Sequence, residues 1–148
     1  MNNIKFRAYD KDNGVMYYSD DGSDQYIFQV DWKKGVQLLL CDDGNYCVVE
    51  NAEIMQSACC EDNNNREAYK GDILGESPYR KNKLIISSYG VIKQERDTYN
   101  LYIEWNFKRK YQNEEYWDKS ILPLRKVNDF NIIGNIYDNP ELLKVENE

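Results

Sequence analysis

Leu101-Tyr102-Ile103-Glu104-Trp105-Asn106-Phe107 sets an apolar residue at every odd position and a mostly polar one at every even position. Successive side chains of a strand point to opposite faces, so a period of two belongs to a strand with one face in a core. The stretch therefore predicts a half-buried strand, and its neighbours can be read from it. Upstream, Asp72-Ile73-Leu74, Lys83-Leu84-Ile85-Ile86 and Gly90-Val91-Ile92-Lys93 are short apolar runs separated by turn-prone residues. Downstream, Ile132-Ile133-Gly134-Asn135-Ile136 completes a set of five. Five short strands with tight connections predict a small closed or nearly closed β-barrel over residues 69–137.

The earlier part of the chain follows the same rule. Ile4, Phe6 and Ala8 face one way and Lys5, Arg7 and Tyr9 the other; the turn Asp10-Lys11-Asp12-Asn13-Gly14 follows, and Val15-Met16-Tyr17-Tyr18 returns. Tyr26-Ile27-Phe28-Gln29-Val30, Val36-Gln37-Leu38-Leu39-Leu40 and Tyr46-Cys47-Val48-Val49 form a second set, its last two joined by Asp42-Asp43-Gly44-Asn45. Glu61-Asp62-Asn63-Asn64-Asn65-Arg66-Glu67 has no apolar residue and is rich in side chains that bond their own backbone, which marks a boundary. Helix is scarce. Asn113-Glu114-Glu115-Tyr116-Trp117-Asp118-Lys119 predicts a turn or two, with acids at the end the helix dipole favours. Asp138-Asn139-Pro140-Glu141-Leu142-Leu143-Lys144 predicts a short terminal helix with Asn139 as N-cap and Pro140 at the first helical position. The expected fold class is mainly β (β-rich α+β). Its parts are an N-terminal β region over 1–60, a polar linker loop over 61–68, a barrel over 69–137, and a short helix and tail over 138–148.

Composition excludes more than it assigns. The chain has 148 residues, near the size one core can serve, and 41% hydrophobic against 30% charged residues predicts folding, not disorder. Histidine is absent, which removes Ser/His/Asp and Cys/His nucleophiles, the H-E-x-x-H zinc site and any imidazole pH switch. Residues 1–74 hold 7 Lys+Arg against 14 Asp+Glu and residues 75–148 hold 12 against 12, so the first half carries the whole net charge of -7. A duplex-DNA face in that half is disfavoured, since phosphate contacts need surplus cations. The start of the sequence shows no apolar stretch of signal-peptide or membrane-span length, which predicts a soluble cytoplasmic protein with no membrane partner. Cys41, Cys47, Cys59 and Cys60 are then expected as reduced, buried small apolar residues, and their spacing does not suit a zinc site.

Four blocks are more specific. The opening Ile4-Lys5-Phe6-Arg7-Ala8-Tyr9-Asp10 and the close Ile132-Ile133-Gly134-Asn135-Ile136-Tyr137-Asp138-Asn139-Pro140-Glu141-Leu142-Leu143 together resemble the YopX family of small phage and prophage proteins. Between them, Ile54-Met55-Gln56 and then Tyr69-Lys70-Gly71-Asp72-Ile73-Leu74 are similar to that family's central I-M-Q and Y-x-G-D-I-hydrophobic blocks, in the same order. The chain departs at Ser57-Ala58-Cys59-Cys60-Glu61-Asp62, where the family has an aromatic residue, threonine and glycine before its polar loop. The resemblance implies a phage or prophage origin, a host bacterial cytoplasm and a C-terminal SH3-like barrel beginning near Gly71-Asp72. It implies no reaction, cofactor or catalytic residue.

Candidate sites are few. Gly71-Asp72 reads as a turn in which glycine takes a positive φ and aspartate accepts backbone N–H bonds. Gly134-Asn135 reads as a bulge or a close backbone approach. Asp31-Trp32-Lys33 has the D-x-K spacing of a metal-dependent nuclease strand, a pattern that chance also supplies. Trp105, Phe107, Lys108, Arg109, Lys110 and Tyr111 combine rings and cations as single-strand binders do, as does Tyr79-Arg80-Lys81-Asn82-Lys83, but three consecutive cations at a strand end are more usually a solvated edge that resists aggregation, and that reading is favoured. Thirteen tyrosines suit a core or an interaction surface. The expected function is a non-catalytic protein-interaction module without cofactor or metal. Its partner would be a second copy, giving a homo-oligomer, or a host or phage factor. Single-stranded nucleic-acid binding, an anti-defence role in which the acidic half mimics nucleic acid, and a nuclease are the alternatives.

Overall fold

The computed structural model describes residues 5–75 and 85–143. Among these the chain is mainly β, its strands pairing antiparallel, and it divides into two compact units, Met1–Ser57 and Ala58–Glu148. The expectations resting on Ile4, on Lys83-Leu84 and on Lys144 fall outside the described residues.

In the first unit β1 (Phe6–Asp10) turns into β2 (Val15–Tyr18), and β1 also pairs with Ala52–Gln56 of β6 (Ala52–Glu61). The Asp10 carboxylate makes the turn by accepting the Asp12 and Asn13 backbone N–H groups at 3.1 and 3.3 Å, and Gly14 closes it at φ 67°. β1 lies between β2 and β6, and on its supposed polar face Arg7 is only 3% exposed, so that face is not left wholly to water. A separate meander runs β3 (Tyr26–Asp31), β4 (Gly35–Asp42), β5 (Asn45–Val48). Its second hairpin turns on Asp43 and Gly44, both at positive φ, as a two-residue turn matching strand twist requires. Tyr26, Phe28, Leu38 and Leu40 of this meander pack with Ala8, Tyr17 and Ile54 into one core.

In the second unit the end of β6 neighbours β7 (Glu67–Tyr69). A five-stranded sheet then runs β11 (Glu114–Leu122), β10 (Leu101–Tyr111), β9 (Ile85–Gln94), β8 (Asp72–Gly75), β12 (Asn131–Asn135), curling into a half-barrel. A 3-10 helix at Leu124–Asp129 precedes β12. The core is the odd face of β10: Ile103, Trp105 and Phe107 pack with Leu74, Ile92 and Val127, and Trp105 stacks on Phe130 with ring centroids 4.6 Å apart.

Three local expectations are corrected here. Residues 85–86 and 90–93 do not belong to two strands, because β9 passes through Gly90 without a turn. A Cβ on Gly90 would sit 2.8 Å from Trp105, so the glycine makes room for the indole. Asn113–Lys119 is no helix. Gln112 and Asn113 take φ of 49° and 67°, a hairpin turn, and the residues after them pair with β10 from Tyr111↔Glu114 to Ile103↔Leu122. Pairing along a whole strand outweighs the weak helical bias of early acids. Near the C-terminus, Pro140–Leu142 forms a single 3-10 turn, and the Asn139 side chain does not cap it.

Candidate functional site

β10 brings the basic cluster to its far end but divides it. Trp105 and Phe107 are 2% and 6% exposed, so neither offers a ring on which a base could stack. Lys108 pairs with Glu115 at 3.2 Å, Arg109 lies over the Phe107 ring at 4.8 Å, and Lys110 and Tyr111 stand opposite Glu115 and Glu114 across the hairpin. Glu115 of β11 thus stands against two of the three cations, and Arg109 lies opposite Tyr116. The second patch, Tyr79–Lys83, lies outside the described residues.

The D-x-K triplet also separates. Asp31 ends β3, and Trp32, Lys33 and Lys34 form the loop to Gly35, so Asp31 and Lys33 do not share a strand face. The Asp31 carboxylate accepts the Lys34 and Lys33 backbone N–H groups, both at 2.8 Å, and these bonds hold its pKa below the usual carboxylate value. It is a turn device. Among the described residues no three His, Cys, Asp or Glu side chains gather as a metal site would. The cysteines are free but not all buried: Cys47, on the wholly exposed strand β5, and Cys59, turned outward at φ 57°, are exposed, while Cys41 and Cys60 are half-buried. Burial pushes the Cys60 thiol up, and Cys59 and Glu67 beside it add to the shift.

Two concave features stand out among the described residues. In the first unit a groove of about 440 Å³ runs along β3, lined by Ile27, Phe28 and Val30 together with Phe6, Tyr18 and the Ser19–Ser23 segment. Val30 is 75% exposed and Trp32, at the adjoining hairpin tip, 98%. At the groove's base the Tyr26 hydroxyl donates to the Asp21 carboxylate at 2.7 Å; burial, then that acceptor, push its pKa up to about 12.

In the second unit a cleft of about 320 Å³ opens on the even face of β10. Of the motif residues read from the sequence Gly71 lines it, and the others tie together the segments beside it. Gly71, at φ 91°, donates its N–H to the Ile92 carbonyl and accepts that of Ile136, tying the start of β8 to the segment after β12. Asp72 accepts the Tyr69 N–H at 2.8 Å. The register between β12 and β8 shifts between Ile132 and Gly134, and a Cβ on Gly134 would fall 2.3 Å from Asn139 Oδ1. That oxygen accepts the Asn135 N–H at 3.1 Å, which is why Asn139 does not cap the turn at Pro140. Asn135 Oδ1 in turn accepts the Tyr137 and Asp138 N–H groups at 3.0 and 2.9 Å. This knot returns the chain so that Ile136, Leu142 and Leu143 pack on Ile73, Tyr89 and Val91. Asn106, Glu104, Lys93 and Lys119 form the polar side of the cleft. The Glu104 carboxylate meets Lys93 at 3.0 Å and Lys119 at 3.6 Å. Asn106 was visible only as one polar position in an alternation; nothing in the sequence marked it as buried.

A scan of protein-family models matches residues 5–144 to the YopX protein family. Among solved structures the chain is similar to the YopX protein from Bacillus subtilis, with 17% identity, 96% of this chain and 98% of that one covered, and a TM-score of 0.52. It is also similar to protein EF1440 from Enterococcus faecalis, with 23% identity, 97% and 99% covered, and a TM-score of 0.45. At such identity the first likeness shows the fold alone. No curated protein matches the chain. Among the described residues no helix is long and apolar enough to cross a membrane.

Proposed function

We propose that this chain, which belongs to the YopX family, is a non-catalytic protein-interaction module that receives an extended segment of another protein along the outer edge of β3. The carrying observation is an edge without a guard. Proteins protect open strand edges with charge, proline or bulges, since bare N–H and C=O groups recruit other strands. Among the described residues β3 ends its sheet; its one charged residue, Asp31, stands at its end and is tied into the turn to β4, and Tyr26-Ile27-Phe28-Gln29-Val30 has no charge and no proline. β11 at the edge of the half-barrel, by contrast, carries Glu114, Glu115, Asp118 and Lys119. Strand addition would pair the β3 backbone and seat alternate partner side chains in the groove, with Trp32 as an exposed anchor. Residues 1–57 hold five Lys+Arg against ten Asp+Glu, so the complementary segment is apolar with basic flanks. That charge disfavours a second copy as the partner.

We place the protein in the cytoplasm of a phage- or prophage-bearing bacterium, a reading supported by family membership and by thiols that stand unbridged. We describe the second unit as SH3-like. A meander, a 3-10 turn and a last strand returning to the first strand of the sheet support that description.

A peptide-display selection on the purified full chain tests the proposal. Extended apolar peptides with basic flanks should be enriched, and Val30→Lys or Trp32→Ala, both at exposed positions that leave the fold intact, should cut retention about tenfold, the effect of losing one anchor. No enrichment, or enriched peptides indifferent to both substitutions, would refute it.

A further inference from the structure

We propose that the cleft of the second unit is a binding site for a small organic carboxylate with an apolar body. Its walls are apolar, with Tyr89, Val91, Ile136 and Leu143 around the space. At 320 Å³ it lies at the lower end of small-molecule sites, where a few polar groups in an apolar pocket fix the ligand's orientation. The charge at its mouth has a sign: Lys70, Lys93 and Lys119 stand against one carboxylate, that of Glu104. Lys93 sits at 3.0 Å from Glu104 and Lys119 at 3.6 Å, with the Lys119 side chain 55% exposed, so Lys119 is the cation best placed to turn to an incoming anion.

The second observation is Asn106. It is 2% exposed, in register between Tyr89 of β9 and Lys119 of β11, in the middle of the sheet. It lines the cleft, and its side-chain nitrogen donates one N–H to the Glu104 carbonyl at 3.2 Å and carries a second. That second N–H can donate to a ligand carboxylate held beside Lys119, with the apolar body between Tyr89 and Leu143. This cleft belongs to a different unit from the β3 edge, so either site can fail alone.

The test uses the full chain and three probes: 8-anilinonaphthalene-1-sulfonate as an anionic fluorescent reporter, octanoate as the carboxylate, and octanol as its uncharged counterpart. The reporter should bind one saturable site from which octanoate displaces it about tenfold better than octanol, the margin expected for one charge-assisted contact. Lys119→Glu should weaken octanoate about tenfold and leave octanol unchanged. Asn106→Leu should weaken octanoate and leave octanol unchanged, a split that a purely structural asparagine would not give. Displacement that does not saturate, or that is equal for octanoate and octanol and unmoved by Lys119→Glu, would overturn the assignment.

Discussion

Asp62 shows how one side chain can hold distant segments. Its carboxylate is fully enclosed and accepts the Asn64 and Arg66 N–H groups at 2.9 and 2.8 Å and the Ile132 N–H at 2.9 Å, across 70 positions of sequence. Arg66 adds its charge at 3.2 Å and also donates to the Ile132 carbonyl. Burial alone would raise this carboxyl's pKa, but the three N–H bonds and the Arg66 charge outweigh it and lower it. Asp62→Asn should therefore cost about 2–4 kcal/mol in urea unfolding, the range for stripping a charged acceptor from buried donors; a loss under 0.5 kcal/mol would contradict these bonds. Because the native pKa is depressed, this stability is present above the unfolded carboxyl value and drains as pH falls below it. Tyr26 has the opposite sign. Its native pKa near 12 exceeds the unfolded value of 10, so its contribution is whole below pH 10 and lost as pH climbs toward 12. Thermal unfolding scanned over that window should fall steeply for the native chain and less steeply for Tyr26→Phe; parallel profiles would exclude Tyr26 as the titrating group.

At the scale of elements, turns decide what the strands become. Gln112 and Asn113 hold the positive φ that glycine takes without strain. Asn113→Gly should therefore stabilise the β10–β11 hairpin by about 0.5–1 kcal/mol, whereas glycine inside a helix would cost about as much. The sign of the change in unfolding free energy separates the two. Gly134 stands at the other extreme, with Asn139 Oδ1, Cγ and Cβ all within 3 Å of where its Cβ would be. Gly134→Ala must displace the turn itself, and loss of about 1–3 kcal/mol with weakened packing of Leu142 and Leu143 is expected, read by unfolding and by methyl chemical shifts. An unchanged spectrum would mean the turn is softer than its contacts indicate.

At the scale of the molecule, period-two patterning made the chain legible as mainly β, because a strand's faces are written in adjacent residues. The hairpins at Asp10–Gly14 and Asp42–Asn45 were legible too, since turn chemistry is local. What escaped was set by residues far apart. Gly90 looks like a break until Trp105 is placed against it, and Glu114–Lys119 looks helical until β10 pairs with it. Trp105 and Phe107 look like a stacking platform until Phe130 and Val127 cover them. The second-unit cleft joins Lys70, Asn106 and Leu143, which no spacing rule connects, and the bareness of the β3 edge depends on which strand ends the sheet. The resemblance to the YopX family was legible from four blocks, but those blocks specify turns and strands and carry no chemistry. Function by surface is therefore the central claim, and hydrogen exchange on the full chain tests it most directly. With a display-selected peptide bound, backbone amides of Tyr26–Asp31 should gain protection beyond all other described strands; protection that leaves β3 unchanged and falls elsewhere would contradict it.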